Sequence, residues 1–259
     1  NKYVCKKVIY FLVPYFCYFI IDLLLIQRSY SIWTFIRAFY GGRAISGVYW
    51  YITCFLFALF LLSVLIRNFS DKMSKVLILT GGGIAVIESH LVDKIHLLQS
   101  PGIPWNMDVS LMALVYVGIG FFYKEKIKEL LESELKKYDL TAGIVVIVLA
   151  LFCWFIYRDG NRPYYFDMKP VYYKELISAI VILCLFGIVL VRLVHWMETF
   201  KWLNLLNHFL IFCGRATVPI MFMHIPLNHW KEIFGYGRLT YTLIGIGLTT
   251  LRSDPMKYR

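Results

Sequence analysis

An ionisable side chain at membrane depth costs about 2.5–3.5 kcal/mol on insertion scales, so each one inside an apolar run invites a chemical reading. Asp22, Glu88, Arg215 and His224 each interrupt such a run in this sequence. Thr217, Met221 and His224 share one helical stripe, and Pro219 between them can bend a helix and free a carbonyl. An imidazole on that stripe is suited to taking a proton from a hydroxyl, the general-base half of a transfer to an alcohol. The same spacing equally suits a histidine bonded to a neighbouring carbonyl. Asp22 either reaches the interface or serves a site, and Glu88 with His90 reads as an interfacial pair as readily as a site.

Other chemistries find less. The pairs His90…His96 and His224…His229 lack the i, i+4 spacing with a third ligand that zinc asks for, so no metal is expected. Gly81-Gly82-Gly83 is followed by no GK[ST] or GxGxxG pattern, and close helix packing explains it better than a nucleotide loop. The six cysteines stand singly with no CxxC spacing, as packing residues do. Trp105, Asn106, Asp108, Tyr164, Tyr165, Asp167, Tyr172 and Tyr173 crowd two of the loops. Aromatic faces beside amides and carboxylates suit sugar rings, and an interfacial aromatic belt has the same composition.

The elements that must position these groups follow from the composition. Of 259 residues, 59% are hydrophobic and 17% charged, with a mean hydropathy of +0.65. A soluble globular domain has about 45–50% and about 25%, so this is a chain for a bilayer. The net charge of +11 is then read as basic loops meeting anionic headgroups rather than nucleic acid.

A crossing helix needs about 20 mostly apolar residues. Eight stretches are expected to serve: Val8–Ile26, Val48–Ile66, Val76–Val92, Asp108–Tyr123, Leu140–Tyr157, Leu176–Val194, His208–Leu227 and Leu239–Leu251. Gln27–Gly47 reads as an interfacial or re-entrant segment. In Lys124–Asp139, Ile127, Leu130, Leu131 and Leu135 share one face while Lys128, Glu132 and Lys136 stack at i, i+4, which predicts an amphipathic surface helix. Its lysines put that end, and the N-terminus, on the cytoplasmic side. The fold class expected is all-α, a polytopic transmembrane bundle forming one domain over 1–259.

Four segments carry a resemblance. KKVIYFLVPYF (Lys6–Phe16), YWYITCFLFALF (Tyr49–Phe60), PWNMDVSLMALVYVGIGFFY (Pro104–Tyr123) and CGRATVPIMFMHIPLN (Cys213–Asn228) resemble, in order, helices of acyltransferase family 3. These are multi-pass bacterial cell-membrane O-acyltransferases of surface glycans, and the nearest look is to the sugar O-acetylase-like branch. The resemblance implies a ten-helix bundle of which this chain holds helices three to ten, the family's first-helix catalytic histidine lying upstream of Asn1. It implies acyl-CoA as donor, commonly acetyl-CoA, and an outward-facing glycan hydroxyl as acceptor, with membrane lipids around the chain. His224 would assist proton transfer on the acceptor side. Trp50 and Asp108 would line the cavity, Arg215 and Thr217 would offer donors to an acyl oxygen, and Lys6 and Lys7 would hold coenzyme A phosphates where the family often has arginine. A transporter or flippase for a lipid-linked glycan is the alternative; it calls for inverted repeats with paired broken helices, and the sequence shows no such symmetry.

Overall fold

The computed structural model describes residues 2–21, 23, 31–40, 49–95, 98, 102–132, 143–144, 146–148, 150–151, 154, 166–173, 175–198, 200–215, 217 and 220–222. These residues are 87% helical with no strand among them, which establishes the all-α class. A helix is what such apolar sequence must form in lipid, because it satisfies every backbone N–H and C=O within its own segment.

The helices, in chain order, are α1 (Lys2–Ile21), α2 (Ile32–Tyr40), α3 (Tyr49–Asn68), α4 (Asp71–Leu91), α5 (Met107–Phe122), α6 (Lys124–Glu132), α7 (Leu176–Glu198) and α8 (Asn204–Arg215). Short 3-10 turns at Pro104–Asn106 and Lys201–Leu203 lead into α5 and α8. Three stretches are long and apolar enough to cross a membrane: Tyr49–Asn68, Pro104–Phe122 and Leu176–Val194. They match three of the eight expected spans. Ile9–Ile21 and Asn204–Gly214 are apolar but shorter. The Val76–Val92 stretch is helical within α4, which also carries Asp71, Lys72, Lys75 and Glu88. Of Leu140–Tyr157, helix is described at 143–144, 146–148, 150–151 and 154. Leu239–Leu251 lies outside the described residues.

Two compact units make up the chain, one from Asn1–Thr53 with Trp202–Arg259 and the other Cys54–Lys201. In the second unit, Ser70 caps α4 by accepting a hydrogen bond from the Met73 N–H at 3.4 Å. The Ser74 hydroxyl reaches back to the Leu65 carbonyl at 3.2 Å, closing α3 and α4 into a helical hairpin. Ala58 and Leu62 of α3, Ile78 of α4, and Leu114 and Val115 of α5 form the buried core. Glycines let α4 and α5 approach: a Cβ on Gly82 would stand 2.8 Å from Val115 Cγ2, and one on Gly118 would stand 2.9 Å from Ile78 Cδ1. These contacts make α4 and α5 antiparallel. Close packing thus accounts for Gly82 of the glycine triplet, whereas a Cβ on Gly83 meets no described atom within 4 Å.

α7 joins this unit through the Tyr116 hydroxyl, which donates to the Ala179 carbonyl at 3.1 Å, and packs against both α4 and α6. Most of its apolar side chains face outward, Ile177 at 77% exposure, while Ala179 and Arg192 are buried. A helix with greasy residues out and its arginine in is built for lipid surroundings.

The first unit is held by rings. Tyr15 and Phe19 of α1, Tyr49 at the start of α3 and Phe222 are all buried. Tyr49 meets Tyr15 and Phe19 edge-on, each at 5.5 Å between centroids, and Phe222 at 5.4 Å. Such pairs add about 0.5–1.5 kcal/mol each beyond the area they bury. Pro14 sits inside α1 without ending it. α2 exposes Ile32, Trp33 and Ile36, as an interfacial helix in Gln27–Gly47 would.

Candidate functional site

Of the buried polar side chains of the second unit, Ser74 and Arg192 lie toward one end, and Ser89, Asn106, Asp108 and Ser110 toward the other. α4 and α5 meet there through the 92–106 connection, which turns on left-handed residues: Gly102 at φ 78°, then Trp105 at φ 58° and Asn106 at φ 52°. For residues other than glycine this conformation costs about 1–2 kcal/mol each. The turn delivers Asp108 into the first turn of α5, where a carboxylate is favoured by the unsatisfied N–H groups of the helix start. Asp108 is 4% exposed, with Asn106 and Ser110 buried beside it in sequence. The carboxylate is close enough to Cys54, near the start of α3, to act on it electrostatically. Cys54 is itself buried.

A second turn at this end is made by residues 166–173. Asp167 and Tyr172 exchange backbone hydrogen bonds of 3.0 and 2.8 Å, and the Lys169 N–H donates to Asp167 Oδ1 at 3.0 Å. Val171, fully buried, takes φ 59° inside this turn, a costly conformation for a β-branched residue. The Ser89 hydroxyl, whose one proton is shared between the Val86 carbonyl of its own helix at 2.8 Å and the Tyr173 carbonyl at 3.0 Å, ties the turn to α4. Tyr173 is buried, and Phe166 lies between it and Tyr116, at 5.7 and 6.3 Å between centroids. The antiparallel register set by Ile78–Gly118 and Gly82–Val115 places Ser89 level with the start of α5. Strained turns holding a buried carboxylate are a frequent mark of a functional site.

The opposite end is cationic. Lys75 Nζ lies 5.1 Å above the Phe122 ring and 5.2 Å above that of Tyr123. α6 follows at once with Lys124, Lys126 and Lys128, all exposed. The unit therefore has a carboxylate end and a lysine end, separated by the apolar core.

The other expected residues belong mostly to the first unit. Trp50, half-buried in the first turn of α3, packs edge-on against Tyr51 at 6.1 Å, and its carbonyl accepts from the Thr53 hydroxyl. Thr217 is exposed and its single O–H is engaged by helix carbonyls, Gly214 at 2.7 Å and Cys213 at 3.3 Å. Offering that proton to an acyl oxygen would require the side chain to turn. Arg215 ends α8, and Lys6 and Lys7 lie within α1, but their side chains are outside the described residues. His224, Asp22, His96 and His229 are outside them as well. Glu88 is half-buried and His90 exposed at the end of α4. Among the described residues, no three His, Cys, Asp or Glu side chains gather as metal ligands would.

Sequence reasoning missed the roles of Ser89, Tyr173 and Arg192. Ser89 gave no signal and Tyr173 stood out only as one of the loop aromatics, since the bond joining them spans 84 residues. Arg192 carried one, a lone charge within an apolar stretch. No protein-family model matches the chain, and comparisons with curated proteins and with solved structures return no match.

Proposed function

We propose that this chain is part of a multi-pass cell-membrane O-acyltransferase, a polytopic bundle that moves an acyl group, acetyl by preference, from acyl-CoA on the lysine-rich side to a glycan hydroxyl on the other. The observation that supports this most is the buried Asp108 carboxylate at one end of a helix long enough to span, with lysines at its other end. A carboxylate held away from water is a strong acceptor for a sugar hydroxyl, and cations attract the phosphates of coenzyme A. The segment resemblances give the reaction its class.

In this reading the acceptor hydroxyl oxygen attacks the thioester carbonyl, the new C–O bond forms, and the C–S bond breaks. His224 takes the hydroxyl proton and the coenzyme leaves as its thiol after reprotonation. Asp108 orients the sugar, Arg215 and Thr217 supply donors to the oxyanion, and Trp50 lines the acceptor path. Lys6 and Lys7 hold the coenzyme phosphates as point charges. Excluding water from the bundle protects the thioester from hydrolysis.

The test is acetylation of surface glycan in cells carrying the complete protein with His224→Ala or Asp108→Asn. At normal protein level, His224→Ala is expected to lose about 10²–10⁴-fold, the range that general acid–base groups contribute, and Asp108→Asn is expected to lose activity as well. Full acetylation in both would refute the assignment.

A further inference from the structure

We propose that the lysine-rich end of the second unit is a binding site for an anionic phospholipid, its phosphate held at Lys75 and Lys124 and its acyl chains lying along the outward face of α7. Three observations converge on this. First, Lys75 is half-buried and its ammonium is held over Phe122 and Tyr123, at 5.1 and 5.2 Å, so the cation is positioned before any ligand arrives. Second, charge is in excess there: Arg67, Lys72, Lys75, Lys124, Lys126 and Lys128 outnumber Asp71, Glu125, Glu129 and Glu132. Third, α7 runs past α6 with Arg192 turned inward at 9% exposure, while the adjacent Leu190, Val191, Leu193 and Val194 are exposed at 50%, 48%, 40% and 39%.

Arg192 reaches this end because Ala179 is fixed beside Tyr116, and the helix rises about 20 Å from there to Arg192 at 1.5 Å per residue. The exposed aliphatic side chains match an acyl chain, and the cations match a phosphate diester. Basic pockets between membrane helices bind anionic headgroups in this way. A zwitterionic lipid brings a choline cation that this cluster repels, so headgroup charge is the selecting feature.

The site shares its lysine-rich end with the donor side of the acyltransferase reading but does not require that reaction, and it is tested without an activity assay. The complete protein, purified in neutral detergent, is mixed with equal phosphatidylglycerol and phosphatidylcholine, and bound lipid is counted by native mass spectrometry. Phosphatidylglycerol should be retained at least about fivefold over phosphatidylcholine. Lys75→Gln and Arg192→Gln should each cut that preference at least threefold, and Lys169→Gln, in the turn at the opposite end of the same unit, should leave it unchanged. If Arg192→Gln fails to fold, Arg192→Lys keeps the charge and should retain most of the preference. Equal retention of the two lipids overturns the proposal. So does a uniform loss across all three lysine and arginine variants, which would mean diffuse surface charge. Displacement of phosphatidylglycerol by stoichiometric coenzyme A would assign the cluster to the donor instead and overturn the lipid site.

Discussion

Adding one methyl group to neighbouring glycines of α4 should have opposite effects, and the structure gives the sizes. At Gly82 the new Cβ would stand 2.8 Å from Val115 Cγ2 and 3.1 Å from Leu176 Cδ1. Carbon atoms rest at about 3.5–4.0 Å, so the α4–α5 contact must open by close to 1 Å or a side chain must leave its rotamer. Leu176 can move its terminal methyl, but Val115 is buried and β-branched, with little χ1 freedom. Overpacking of this kind costs about 1–3 kcal/mol. Replacing a mid-helix glycine by alanine returns about 0.5–1 kcal/mol. Gly82→Ala should therefore destabilise by about 0.5–2 kcal/mol. At Gly83 no described atom lies within 4 Å of the added Cβ, so only the helix gain remains and Gly83→Ala should stabilise by about 0.5–1 kcal/mol. Reversible unfolding in mixed micelles measures both, and adding Val115→Ala to Gly82→Ala should recover part of the loss. If Gly82→Ala proves as stable as Gly83→Ala, the α4–α5 register is wrong, and with it the placement of Ser89 level with the start of α5.

Further consequences concern single bonds. Tyr116→Phe removes the tie between α5 and Ala179 of α7 and should cost about 0.5–1.5 kcal/mol in the same unfolding measurement. Ser89→Ala frees the Tyr173 carbonyl from α4, so amides of residues 166–173 should exchange with deuterium several-fold faster while those of α5 are unchanged. Ser70→Ala removes the cap of α4 and should destabilise by about 1 kcal/mol, with Ser70→Asp restoring it.

Length and apolarity made the spanning stretches legible, because a run such as Val48–Ile66 admits no other stable state in lipid. Their ends were less so. α1 begins at Lys2 rather than Val8 and α4 at Asp71 rather than Val76, since lysine and serine are compatible with helix and do not stop it. α7 likewise continues to Glu198, past the Val194 at which its apolar run ends. Asp108 was legible among the loop residues suited to a sugar and through the resemblance, and it is buried. Its setting did not stand out: the left-handed Trp105 and Asn106 obey no sequence rule that favours glycine there, and the 166–173 turn acts on α4 only through a hydrogen bond distant in sequence. In the sequence Arg192 is only one more basic residue at the end of an apolar run, because charge counting ignores which way a side chain faces. The depth at which it sits is a property of packing between α7 and its neighbours.

Acyl transfer from one face of a membrane to the other is the claim to which all the site residues answer. It is tested most directly by placing the complete protein in sealed vesicles, with acetyl-labelled acetyl-CoA inside and a surface-glycan acceptor outside. The account predicts label on the external glycan, abolished or nearly so in Asp108→Asn and His224→Ala vesicles of equal protein content. Label that stays inside with the wild-type protein, while an enclosed lipid-linked glycan emerges unmodified, would contradict it and mark the chain as a carrier.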